Sequence, residues 1–348
     1  MDEKGIQGIN FARMCSREPM ESATCHEYFS KADEVEPAGR IIAEHLRLPY
    51  VTLSNALAVY PESGIPPVFT RWPYSRSYPA KIRNTLGYLL QRRLARNWLA
   101  TLNRQRHEWH LPPCRSPADL ISRWGHVAQQ PLFFDYPREQ LPSQFHYTGP
   151  WHDRRVRPPV LLPFEKLDGG PLIYASMGTL QNQIQQVFRE IARACDGLDA
   201  QLVISLGGGA KPGLVAPLPG NPLVVGYAPQ LELLARAALT ITHAGLNTVL
   251  ESLPYGVPMV AIPVGNDQPG VAARVKRLGA GELLPIKRLR ADRLRTLVKK
   301  VFGQERYRLQ ARRFMVEIQN TDGVGKATDV IEQVLREQRP VFRATAVS

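Results

Sequence analysis

Long apolar runs are missing from this chain. No stretch approaches the ~18 uninterrupted apolar residues of a membrane span, and the first thirty residues do not read as a secretory leader. A helical membrane protein is not expected. Cysteine is scarce: Cys15, Cys25, Cys114 and Cys195 stand far apart, without paired spacing or a histidine partner. Neither a disulfide framework nor a zinc site is expected, and the thiols read as reduced, as in a cytoplasmic protein. Internal repeats and low-complexity tracts are absent, which leaves no basis for a repeat architecture. Acidic residues are in deficit, 31 Asp and Glu against 44 Lys and Arg, and none of them cluster as metal ligands. The resulting charge of +13 is accompanied by no recognised nucleic-acid module, so nucleic acid is not an expected partner.

What is present suffices for two ordinary cores. The 348 residues are 44% hydrophobic and 8% aromatic, the profile of a soluble globular protein of two domains. Much of the basic excess lies in 81–106 and 287–313. The first of these sets Arg83, Arg92, Arg93, Arg96, Arg104 and Arg106 among Leu86, Leu89, Leu90, Leu94, Trp98 and Leu102, which predicts an amphipathic basic helix. A solvated charged face is its ordinary reading. Contact with an anionic membrane surface is its functional one.

Between 171 and 285 the pattern alternates strand and helix. Strands are predicted at 172–175, 201–206, 223–226, 238–242, 259–262 and 282–284, and helices at 181–194, 231–236, 246–253 and 268–277. Such repeated units imply a parallel sheet covered on both faces. Helices at 290–302, 306–318 and 324–337 follow. Gly149, Pro150, Pro158, Pro159 and Pro163 mark 146–163 as linker-like, and its stretch 151–163 divides the chain into domains at 1–150 and 164–340. Residues 50–55 read as a strand. The proline-rich loop 61–79, with Phe69, Trp72, Tyr74 and Tyr78, either lines a cleft or packs as irregular surface.

The most informative stretch is 243–268, HAGLNTVLESLPYGVPMVAIPVGNDQ. A strand runs into His243, Gly245, Asn247 and Thr248, and a helix follows directly. Helix N-termini favour anions, phosphate above all, through unpaired N–H groups and the positive dipole end. Glu251 lies three residues after Thr248 and can turn towards whatever the phosphate carries. A second strand ends in Pro263 and a loop holding Asp267 and Gln268. Loops at the carboxyl ends of neighbouring parallel strands share one crevice. Phosphate donors and a carboxylate–amide pair converging there suit a nucleotide-sugar. Ordinary readings stand beside this one: Thr248 and Glu251 also spell a helix capping box, Tyr227 can be a packed aromatic, and Gly207 to Gly209 a plain turn.

This stretch resembles the donor-binding signature of family 1 glycosyltransferases, with His243, Gly245, Asn247, Thr248, Glu251, Gly256, Pro258, Pro263, Asp267 and Gln268 at the motif's positions. Tyr227-Ala-Pro-Gln230 is similar to that family's aromatic-x-Pro-Gln element, and Ser176-Met-Gly-Thr179 to its Ser-x-Gly-Ser/Thr loop. The resemblance covers about 33–335 and is closest to bacterial members that glycosylate carotenoids and macrolides. It implies an α/β fold of GT-B architecture, two facing Rossmann-like domains, with the last helix, 324–337, crossing back to the N-terminal one. It also implies inverting transfer of a hexose from a UDP- or TDP-sugar to a hydroxyl of a lipophilic acceptor, without cofactor or metal. On that resemblance Tyr227 and Ala228 meet the base, and Gln230 and Glu251 the ribose. Ser176, Gly178, Thr179, His243, Gly245, Asn247 and Thr248 surround the diphosphate, and Asp267 and Gln268 grip the sugar. The family's N-terminal histidine base is not assignable here. Gly125-His126 is set aside because it follows a helix-like stretch just before the linker. The N-terminal half is therefore expected to be truncated. Two alternatives follow: a donor-binding remnant without turnover, and a sugar-nucleotide epimerase on the same architecture.

Overall fold

The computed structural model describes residues 31–33, 37–116, 119, 121–152, 159–178, 185–209, 212–214 and 217–343. Two parallel sheets organise it. The first contains β1 (Lys31–Asp33), β2 (Val51–Ser54), β3 (Gly125–Ala128) and β4 (Phe145–Tyr147) in that order. Helix α1 (Pro37–His45) joins β1 to β2, and α2 (Tyr78–Leu94) and α3 (Arg96–Glu108) lie between β2 and β3.

The second sheet is built from β5 (Leu172–Ser176), β6 (Gln201–Ser205), β7 (Leu223–Val225), β8 (Ala237–Thr242), β9 (Met259–Ala261) and β10 (Gly281–Leu283). Its order is β10-β9-β8-β5-β6-β7, so the chain starts at the centre, runs to one edge and crosses back beside β5. That order creates a switch point between β5 and β8, where a crevice opens beyond the carboxyl ends of the strands. Every residue of β5 is buried, as helices covering both faces require. Helix α4 (Gln185–Cys195) contributes Val187, Phe188, Ile191 and Ala192 to one side of this core. The other side receives α5 (Gln230–Leu234), α6 (Leu246–Ser252) and α7 (Gln268–Arg277). Three more helices follow, α8 (Ala291–Gly303), α9 (Glu305–Gln319) and α10 (Gly323–Glu337). The last is capped by Asp322, which accepts from the Gly325 N–H at 2.8 Å. It returns to the first sheet, where Ala327 and Val334 pack with Val51 and Val127.

Several sequence expectations need correction. Gly125 and His126 belong to a central buried strand rather than to the end of a helical stretch. The strand has only four residues, so burial between β2 and β4 decides its conformation rather than its own pattern. His126 is fully buried against Ser54 and the Tyr60 hydroxyl, and burial pushes its pKa down to about 3. His146 and Tyr147, read as linker, are strand residues of β4. The basic helix at 81–106 is interrupted at Ala95.

Helix α2 leaves its apolar stripe outside together with its solvated basic residues Lys81, Arg92 and Arg93. It buries Ala80, Asn84 and Gly87 and exposes Ile82, Leu86, Leu89, Leu90 and Leu94. The close approach explains the small residues: a Cβ on Gly87 would lie 2.9 Å from both Pro67 and Trp72. The proline-rich loop is thus packed under α2, and Tyr74 stacks on Tyr136 at 5.0 Å. Among the described residues no helix is long and apolar enough to cross a membrane. Cys114 and Cys195 are buried free thiols, while Cys15 and Cys25 lie outside the described residues.

Candidate functional site

Strand β5 ends at Ser176 and strand β8 at Thr242, side by side at the switch point. Beyond them lies a cavity of about 770 Å³. Ser176, Gly178, Tyr227, Ala228, Gln230, His243, Gly245, Asn247, Thr248, Glu251, Asp267 and Gln268 all line it. Thr179 lies outside the described residues. Residues far apart in the chain are therefore brought to one crevice by the parallel topology alone.

His243 occupies the junction. Its ring sits between two glycines: a Cβ on Gly178 would lie 2.6 Å from the imidazole, and one on Gly245 2.5 Å from its Nε2. Gly178 also needs its backbone freedom, at φ +75°. Gly245 has an ordinary φ of −61°, so space rather than conformation demands glycine there. Burial pushes the His243 pKa down to about 4, against a smaller upward pull from the Ser176 backbone. The imidazole is neutral at pH 7, and its Nδ1 is buried without a partner among the described residues.

The ordinary readings of Thr248 and Tyr227 fail. Helix α6 starts at Leu246 with Gly245 as its N-cap and no side-chain cap bond, so Thr248 and Glu251 are not a capping box. Glu251 is buried and accepts from Gln230 Nε2 at 2.5 Å, while Gln230 Oε1 accepts from the Tyr174 hydroxyl at 3.0 Å. This chain fixes the amide of Gln230 and aims the carboxylate along the cavity wall. Tyr227 is 56% exposed, a ring at the rim rather than in the core.

At the other end, Gln268 Oε1 accepts from the backbone N–H groups of Val264 and Gly265, at 2.9 and 3.1 Å. The loop between β9 and α7 is thereby folded over its own side chain. Asp267 Oδ2 accepts from the Leu57 N–H at 3.0 Å, a bond that reaches from the first sheet's side. Burial raises the Asp267 pKa, opposed by that N–H.

Sequence reasoning missed part of the lining. Asn55 and Ala56, just after β2, contribute from the opposite side, and Pro159 and Val160 also line the cavity. Tyr174 and Ser205 form part of the wall, and a tyrosine inside an otherwise apolar strand was the available signal. Asn55 carried none, because its place depends on how the two sheets face each other.

The two sides are joined by a buried ionic network. Asp135 accepts from Arg138 Nε and Arg274 guanidinium at 2.7 Å each, and from the Tyr147 hydroxyl at 2.8 Å. Arg274 lies on α7 and covers the Tyr136 ring at 4.1 Å. Its neighbour Arg277 donates to the Asp135 carbonyl at 2.7 Å, and the Gly270 N–H to the Val68 carbonyl at 2.8 Å. Helix α7 is thus held at its cavity end and along its length by residues that precede β4.

Comparison with known proteins agrees with this geometry. The model of the family described as UDP-glucoronosyl and UDP-glucosyl transferase matches residues 23–338. Zeaxanthin glucosyltransferase of Pantoea ananas is 30% identical over 315 residues, which cover 89% of this chain and 72% of that protein. The enzyme of the same name from Pseudescherichia vulneris is 32% identical over 305 residues, 87% of this chain and 73% of the other. Among solved structures, the glycotransferase of kitacinnamycin superposes with a TM-score of 0.69 at 22% identity, covering 88% of this chain and 75% of that one. The fold is α/β of the GT-B kind, and the donor-binding remnant is not the favoured reading. The chain belongs to the UDP-glucosyl transferase family of glycosyltransferase enzymes.

Proposed function

We propose that the cavity holds a UDP- or TDP-sugar and that the protein transfers its hexose, with inversion, to a hydroxyl of a lipophilic small molecule. One observation carries the reading: a neutral, half-buried imidazole, an amide, a hydroxyl and a carboxylate–amide pair converge on one crevice at the switch point. In the resulting assignment Tyr227 and Ala228 hold the base, and Gln230 and Glu251 the ribose. Ser176, Gly178, His243, Gly245, Asn247 and Thr248 face the diphosphate, with Thr179 belonging to the same loop. Asp267 and Gln268 take the sugar hydroxyls. In the reaction the acceptor oxygen bonds to the anomeric carbon as the bond to the diphosphate breaks, and the hydroxyl proton passes to solvent water, so the products are glycoside, free diphosphate and a proton. Oriented N–H and O–H dipoles stabilise the charge gathering on the leaving group. The reading uses no cofactor and no metal. Domain limits at 1–150, 151–163 and 164–340 follow from the same assignment, since the cavity's motif residues all lie in the last.

Stabilisation by ligand tests the donor assignment. A ligand at 100 times its dissociation constant adds about 2.7 kcal/mol. Melting temperature is expected to rise with millimolar UDP or TDP and to change little with the nucleosides. No rise with either diphosphate contradicts the assignment.

The names of the relatives, zeaxanthin glucosyltransferases, support a lipophilic acceptor. The exposed face of α2 supports a cytoplasmic protein that meets an anionic membrane. Ile82, Leu86, Leu89, Leu90 and Leu94 face outward beside the exposed Lys81, Arg92, Arg93 and Arg96. Co-sedimentation with vesicles is expected to require anionic lipid and to weaken with added salt. Binding indifferent to lipid charge removes this part of the reading.

A further inference from the structure

Gln129 follows β3 directly and is 2% exposed, and it lies behind Asn55 and Asn247, two residues that line the cavity. Its Nε2 donates both hydrogens. One goes to the backbone carbonyl of Asn55, the other to Asn247 Oδ1 at 2.6 Å. A backbone carbonyl can only accept, so the nitrogen of the Gln129 amide must face Asn55. Its remaining hydrogen then requires an acceptor on Asn247, which is the side-chain oxygen. The nitrogen of the Asn247 amide is left to face the cavity as a donor. An asparagine free to flip would present either end; this one presents a donor.

We propose that Gln129 is a positioning residue for the donor substrate: it locks the Asn247 amide so that Nδ2 faces the diphosphate. This rests on the assignment of the diphosphate to the His243–Thr248 end of the cavity. No local pattern hints at it, because the pair is separated by 118 positions and meets only where the two sheets face each other. A consequence follows for the whole protein. Full diphosphate affinity requires the β3 side and α6 to be in contact, so the anion site is completed by the half that carries none of the motif.

The test uses the full chain and calorimetry with UDP, TDP and the matching nucleosides. Gln129→Met keeps the volume and releases Asn247. Gln129→Glu accepts where Gln129 donated, and so favours the flipped amide with its oxygen towards the anion. Diphosphate affinity is expected to fall about tenfold in Gln129→Met, the scale of one hydrogen bond to a charged group, and further in Gln129→Glu. Nucleoside affinity is expected to stay unchanged in both. In an Asn247→Ala background, Gln129→Met is expected to add no further loss. Equal losses for nucleoside and diphosphate, a loss that persists without Asn247, or an unaltered diphosphate affinity overturns the proposal. If the unaltered protein binds neither diphosphate, the site assignment falls and this inference with it. Binding by the unaltered protein with no effect of Gln129→Met removes the inference alone. Near-ultraviolet circular dichroism of each variant separates unfolding from loss of the lock. If Gln129→Met does not fold, the diphosphate and nucleoside affinities of Gln129→Glu decide the matter by the same comparison.

Discussion

Asp135→Ala is expected to destabilise the protein by about 3–5 kcal/mol, the cost of removing one partner from a buried ion pair. The carboxylate has no exposed side-chain surface, and the two guanidiniums it serves, Arg138 and Arg274, are 2% and 1% exposed. Without it two positive charges remain buried, close together and unpaired. The loss corresponds to a melting temperature lower by about 4–7 °C for a chain of 348 residues. Acidity supplies a second reading of the same group. The neighbouring arginines hold the Asp135 carboxyl well below its ordinary value near 3.8. Its stabilising contribution is therefore fully present above that ordinary value and is lost as the pH falls below it. The gap in stability between the unaltered protein and Asp135→Asn is expected to be constant from neutral pH down to about 4 and to narrow beneath. A drop of less than about 2 °C in Asp135→Ala contradicts the role of this network in holding α7 to the rest of the molecule.

His243→Ala is expected to weaken diphosphate binding by about 1.5–3 kcal/mol, roughly tenfold to a hundredfold, and to leave nucleoside binding nearly unchanged. The imidazole is neutral at pH 7 in the unliganded protein, and the expected loss is that of one hydrogen bond to a charged group. Asp267 separates the other end of the ligand. Asp267→Asn keeps an oxygen for the Leu57 N–H and so preserves the contact between the two sides. It is expected to spare free UDP or TDP and to weaken only the sugar-bearing donor. Calorimetry on both variants decides the orientation. Equal losses for diphosphate and diphosphate-sugar in Asp267→Asn mean that the sugar lies elsewhere.

The donor side of this site was legible because its residues are local. His243, Gly245, Asn247 and Thr248 follow one strand, Asp267 and Gln268 follow the next, and parallel pairing of β8 with β9 puts both loops at the same end. Strand positions from β5 to β9 were equally legible as short, largely apolar runs between turn signals, and β10, Gly-Glu-Leu, followed from the alternation of strand and helix. Of the first sheet only β2 was, as the strand read at 50–55. β3 reads Gly-His-Val-Ala and owes its conformation to pairing with two strands distant in the chain, β2 and β4. The inward face of α2 was hidden for a related reason: its apolar spacing marks a stripe, and only the packing of Gly87 on Trp72 says that the small residues turn inward instead. Contacts between the sheets were invisible altogether. Asp267 with Leu57, Arg274 with Asp135 and Asn247 with Gln129 pair residues that share no local pattern. Two of the alternatives that local reading left open were closed by exposure and helix start, while Gly207 and Gly208 are indeed a turn. Tyr227 is at the rim and Thr248 is inside α6, not at its cap.

Transfer itself is the most direct measurement. The purified chain is incubated with UDP-glucose or TDP-glucose and a carotenoid or macrolide bearing a free hydroxyl, and the products are resolved by mass and by the anomeric proton coupling. The expected product is a glycoside of inverted configuration from an α-linked donor, formed in step with free diphosphate and reduced in His243→Ala and Gln129→Met. Donor recovered unchanged despite binding, or converted to an epimer without a glycoside, contradicts the proposed transfer.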